Sequence, residues 1–120
     1  MVVARIEDGH IHILDKLKEM VRLGAGLDKH GRLSEEAKQR ALTCLQCFGE
    51  RVRDFPQGTV AAVGTNTLRR AQGSRQFLQD ASAMLGHPIS VIGGKEEARL
   101  IYLGVSHSLA AGTGKRFVMD

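Results

Sequence analysis

Two segments carry residues whose types and spacing could do chemistry: Gly64-Thr65-Asn66-Thr67-Leu68-Arg69-Arg70 and Gly93-Gly94-Lys95-Glu96-Glu97-Ala98-Arg99. Each falls where a short apolar strand gives way to a helix. Small and hydroxyl residues at such a turn leave backbone amides free to face an anion, and the helix N-terminus adds positive partial charge. Phosphate is the natural ligand. The second segment also holds adjacent carboxylates, Glu96 and Glu97, which can bind a metal ion or orient a water beside that phosphate. Together the two segments point to phosphoryl chemistry.

Each segment also has a plainer explanation. Acidic residues in a first helical turn stabilise the helix dipole by about 0.3–1 kcal/mol in any protein. The first segment reads equally well as an ordinary turn, with Thr65 or Asn66 capping and Arg69 and Arg70 in solvent. Gly93 and Gly94 weigh against the plain reading, because glycine is a costly way merely to start a helix and suits close approach of a ligand. Arg69, one turn into its helix, could fork onto a phosphate bidentately.

The elements that must position these residues follow from the pattern of apolar residues. Val2 to Ile6 and Ile11 to Leu14 read as strands around the hairpin signal Asp8-Gly9. Ser34 is an N-cap with Glu35 and Glu36 in the first turn of a long helix. That helix buries Ala37, Ala41, Leu45, Phe48 and Val52 and stops near Phe55-Pro56. Thr59 to Val63 has no polar alternation, as expected of a central strand covered on both sides. A broken helix from Leu68 to Leu85 closes at Gly86, Ile89 to Ile92 is the next strand, and Ala98, Ile101, Tyr102, Val105 and Leu109 trace a third buried stripe. Gly112 to Lys115 turns into a last strand, Arg116 to Met119. Strands alternating with helices predict an α/β fold with parallel pairing, and both informative segments then lie beyond the carboxyl ends of parallel strands.

Composition narrows the function classes. The 120 residues are one domain's length, with 42% hydrophobic and 25% charged residues. A formal charge of +4 from scattered basic residues favours anionic partners. Without exposed aromatic platforms it does not predict nucleic-acid binding. Cys44 and Cys47 have zinc-like spacing but no second pair, so they read as small hydrophobes within a helix. Reduced thiols and the lack of a secretory signal predict the cytoplasm, and no apolar run approaches the ~20 residues that span a bilayer. None of the five histidines forms a metal-binding pair, and neither a serine-hydrolase elbow nor a P-loop signature occurs.

The run Val63-Gly64-Thr65-Asn66-Thr67-Leu68-Arg69, the run Glu96-Glu97-Ala98-Arg99-Leu100-Ile101 and Gly104-Val105 resemble the exopolyphosphatase and guanosine pentaphosphate phosphohydrolase family. Arg22-Leu23-Gly24, Gly26-Leu27 and Ser34-Glu35-Glu36-Ala37 fit the same pattern in order. The resemblance implies a ribonuclease-H-like (actin-like ATPase) domain, a mixed sheet with helices on both faces. It also implies Mg2+-dependent release of terminal phosphate from polyphosphate or guanosine pentaphosphate, by a full-length protein that is a homodimer. By position, Glu97 resembles the base that activates water, with Glu96 beside it. Gly64, Thr65, Asn66, Thr67 and Arg69 resemble the phosphate cradle, and Asp120 a metal-site aspartate.

The same resemblance places a first strand with an Asp-x-Gly-Ser-Asn-Ser loop before Met1 and an Ile-Gly-Gly-Gly-Ser loop after Asp120. Residues 1–115 are then a partial N-terminal domain lacking its first, central strand, and 116–120 begin a second domain. The expectation is a chain with little activity alone and a tendency to self-associate. The rival expectation is a non-catalytic phosphate- or nucleotide-binding module of the same fold.

Overall fold

Asp8 (φ 51°) and Gly9 (φ 77°) both take left-handed backbone, the requirement of a tight two-residue hairpin turn. They join β1 (Val2–Glu7) to β2 (His10–Lys16), paired antiparallel with an irregularity between Val3 and Ala4. The computed structural model describes residues 1–108. Leu109 of the predicted stripe, the turn at 112–115, the strand Arg116 to Met119 and Asp120 lie outside the described residues.

A 3-10 turn at Leu23–Gly26 leads to α1 (Glu35–Val52). Ser34 caps α1 as predicted, its Oγ accepting from the amide of Ala37 at 3.3 Å. Then come β3 (Ala62–Gly64), α2 (Asn66–Arg70), α3 (Arg75–Leu85), β4 (Ile89–Val91) and α4 (Gly94–Ser108). Gly86 ends α3 in left-handed conformation, φ 77°.

The core forms where α1 packs against α3. Leu33, Ala41, Ala71, Phe77 and Ala81 are buried together, with Leu45, Leu68 and Ile89 packed against them. A Cβ at Gly49 would run into the carbonyl of Met84, so the small residue sets how closely α1 meets the end of α3. His87, 4% exposed, shares a 3.2 Å hydrogen bond through Nε2 with the Val52 carbonyl and pins the two helix ends together.

β3 and β4 pair in parallel, Ala62 with Ile89 and Gly64 with Val91, as strand–helix alternation predicts. Two expectations fail here. Of the predicted strand Thr59 to Val63 only Ala62 and Val63 enter β3, and Val63 is 52% exposed, because among the described residues β4 alone offers it a ladder. The stripe on α4 is only partly covered: Ile101 and Val105 are half-buried, while Ala98 is exposed and Tyr102 is 47% accessible. The described strands form two separate two-stranded sheets, β1-β2 and β3-β4. Between residues 1–4 and 59–63 runs a groove of about 430 Å³, floored by Leu45, Phe48 and Val52.

Candidate functional site

The carboxyl ends of the parallel pair bring the two segments to one rim. β3 ends at buried Gly64, where a Cβ would overlap the Leu68 side chain, so glycine lets α2 fold back tightly on its own strand. The Gly64 carbonyl accepts from the amide of Ile92 at 3.0 Å, extending the ladder to the residue before Gly93. The side chain of Arg69 then crosses the rim. Its Nη1 donates to the Ile92 carbonyl at 2.8 Å and to Glu97 Oε2 at 2.7 Å. The Arg69 and Glu97 side chains are 28% and 23% exposed, the most sheltered ion pair among the described residues.

At the start of α4 the first intrahelical bond runs from the Glu97 amide to the Gly93 carbonyl, 2.9 Å. The amides of residues 94–96 precede it and have no partner within the helix. A Cβ at Gly93 would meet nothing within 4 Å, and one at Gly94 only Arg69 Nη2 at 3.9 Å. Packing therefore does not require these glycines. Both are exposed and carry no side chain over the amides that open α4.

Several sequence expectations need adjusting. Glu96 does not share a site with Glu97: Arg99 holds both its oxygens, at 2.7 and 2.9 Å, on the solvent side of α4. That hydrogen bonding keeps the Glu96 carboxyl below its usual range. Thr65 occupies the N-cap position of α2, yet its side chain makes no capping bond, and α2 is only five residues, too few aligned peptides for much dipole. Thr67 Oγ1 lies toward the 3-10 turn, 3.1 Å from where a Cβ on Gly24 would sit. Asn66 is exposed at the rim. The residue that sequence reasoning missed is Ile92, which acts through its carbonyl. A strand's last backbone oxygen carries no signature in the side-chain alphabet.

The described residues do not by themselves make a magnesium site. Among them no group of three His, Cys, Asp or Glu side chains converges as a metal would need. Both Glu96 oxygens are taken, and Asp120 lies outside the described residues. Cys44 and Cys47 are free thiols on α1, the first half-buried with its thiol pushed up by desolvation, the second exposed. Among the described residues no helix is long and apolar enough to cross a membrane.

A parallel strand pair, helices following each strand and two glycine-bearing turns at one rim fit part of a ribonuclease-H-like α/β domain. Residues 2–120 match the Ppx/GppA phosphatase family, and the chain belongs to that family. It is 50% identical over all 120 residues to a guanosine-5'-triphosphate,3'-diphosphate pyrophosphatase of Vibrio vulnificus, and 48% identical to one of Vibrio cholerae. It spans 24% of the length of each. Among solved structures, the Ppx/GppA family member of Aquifex aeolicus superposes with a TM-score of 0.79 at 30% identity, over 90% of this chain and 35% of that one. An exopolyphosphatase from Cytophaga hutchinsonii gives 0.79 at 29% identity, over 88% and 34%.

Proposed function

We propose that the chain supplies the base-bearing half of a phosphohydrolase site, in which Glu97 takes a proton from a water attacking a terminal phosphorus. The observation that carries this reading is the bridge from Arg69 to Ile92 and Glu97, which joins the two turns at one edge. Phosphoryl transfer asks of a protein mainly alignment and charge neutralisation. In this reading the amides at the start of α4 and the Gly64–Thr67 turn hold the phosphate oxygens, and the Arg69 cation adds positive field beside them. Glu97, a quarter exposed and fixed at one oxygen, faces the water. Water's oxygen bonds to phosphorus as the bridging P–O bond breaks, the bridging oxygen departs with the shortened phosphate chain, and the attacked phosphorus is released as orthophosphate. Mg2+, at the position the family resemblance assigns to Asp120, would supply further charge neutralisation on the phosphate.

The names of the relatives at 48–50% identity favour guanosine pentaphosphate over polyphosphate as substrate. We further infer that the 120 residues alone turn over little, since they supply no metal site among the described residues and present only one side of the rim. Glu97→Gln in the complete polypeptide that carries this chain tests the reading. Release of phosphate from guanosine pentaphosphate, with Mg2+ supplied, is expected to fall by about 10²–10⁴-fold, while inorganic phosphate still binds. Turnover within a few-fold of the parent removes Glu97 as base. A parent polypeptide that binds inorganic phosphate yet releases none from guanosine pentaphosphate or polyphosphate would favour the non-catalytic module.

A further inference from the structure

We propose that Arg69 is the positioning residue of Glu97, acting on the reaction through that carboxylate and only secondarily as a ligand of phosphate. The kinetic part of this rests on the phosphohydrolase reading above; the structural part does not. One nitrogen, Nη1, serves both acceptors, Ile92 O at 2.8 Å and Glu97 Oε2 at 2.7 Å. Ile92 is itself fixed by its amide bond to the Gly64 carbonyl, 3.0 Å. The guanidinium is thus anchored on backbone that the β3–β4 ladder already holds, and Glu97 inherits that order. An acidic side chain in a first helical turn otherwise samples several rotamers, as a carboxylate held only from its own helix can.

The contrast with Glu96 is informative. Its partner Arg99 sits three residues along the same helix, 61% exposed, and engages both oxygens, so the pair moves as α4 moves and is not tied to the rim. Arg69 approaches Glu97 from another element and takes one oxygen, leaving Oε1 for the proton. A base fixed in orientation with one oxygen open is what alignment of a water requires. The other charges nearby are Lys95 and the Glu96–Arg99 pair on α4 and Arg70 on α2; none of them bonds Glu97.

A double-mutant cycle in the complete polypeptide tests this, with phosphate release and inorganic phosphate affinity as the two readouts. Arg69→Met is expected to lower kcat about 10- to 100-fold, the cost of slight misplacement, while phosphate affinity changes less than about threefold. In the Glu97→Gln background the same substitution is expected to cost less than about threefold in kcat. An equal fold loss in both backgrounds, or a loss confined to KM and phosphate affinity, makes Arg69 a phosphate ligand and overturns the proposal. Arg69→Lys, which keeps charge and bulk should the first variant fold poorly, is expected to recover part of kcat. A crystal structure of either variant provides a readout independent of turnover. Several Glu97 rotamers support positioning, and one unchanged rotamer sinks it even if Glu97 proves to be the base.

Discussion

The hairpin and the rim are both built from short strands, yet they are secured in opposite ways. The hairpin is made by its own sequence: one turn dictates one register, and Ala4 meets Ile13 and Ile6 meets Ile11 on a shared face. That face is left bare, with Ile6 74%, Ile11 62% and Ile13 63% exposed. The β3–β4 rim has shorter strands, three residues each, but contacts from distant segments lock it: Gly64 to Ile92, Arg69 to Ile92, Arg69 to Glu97. Local order without cover leaves a surface that seeks a partner, whereas cross-linked order yields a defined geometry where chemistry can happen.

The contrast can be broken or sharpened by substitution. Phe77→Ala empties the core beneath the rim and is expected to cost about 3–5 kcal/mol in denaturant unfolding; a cost below 1 kcal/mol would mean that the rim does not depend on that core. Ser34→Ala removes the N-cap of α1, and a loss of about 1 kcal/mol is expected in the same measurement. Ile6→Thr on the bare face is expected to change stability by no more than about 0.5 kcal/mol while reducing self-association in analytical ultracentrifugation. An Ile6→Thr cost rivalling that of Phe77→Ala would erase the distinction between the two regions.

The smallest effect expected concerns the loop before α1. Asp28 accepts from the amides of Arg32 and His30 at 2.8 Å each and from Arg32 Nε at 3.1 Å, which holds its carboxyl below the ordinary range. A carboxylate with a depressed folded pKa lends its stability above the unfolded value of about 3.9 and loses it as pH falls through the folded value. The stability gap between the parent and Asp28→Asn is therefore expected at neutral pH and should close in acid. A gap independent of pH would assign the loop's order to the backbone alone.

Much of this arrangement was legible in the residues. The Asp8-Gly9 turn, the Ser34 cap, the Gly86 stop and the parallel pairing of the strands before Gly64 and Gly93 all came from local chemistry and periodicity, as did the meeting of the two turns. Two features were not legible. The apolar run at Thr59 to Val63 announces burial but cannot say which neighbour supplies it, and here all five of its residues line an open groove. Glu96 and Glu97 look equivalent in sequence, yet one turns to Arg99 and the other to Arg69. Adjacent positions on a helix point about 100° apart, and which direction meets a cation depends on what lies there.

By itself the sequence determined the elements, their order and the kind of ligand the turns suit, since caps, glycines and hydrophobic periods act within a few residues. Tertiary structure alone decided that Arg69, 28 positions before Glu97, would reach it, and that a backbone oxygen of Ile92 would hold the cation in place. Such contacts arise only when the ladder sets β3 beside β4, because the strand spacing and the direction of the last carbonyl fix distances that no local pattern encodes.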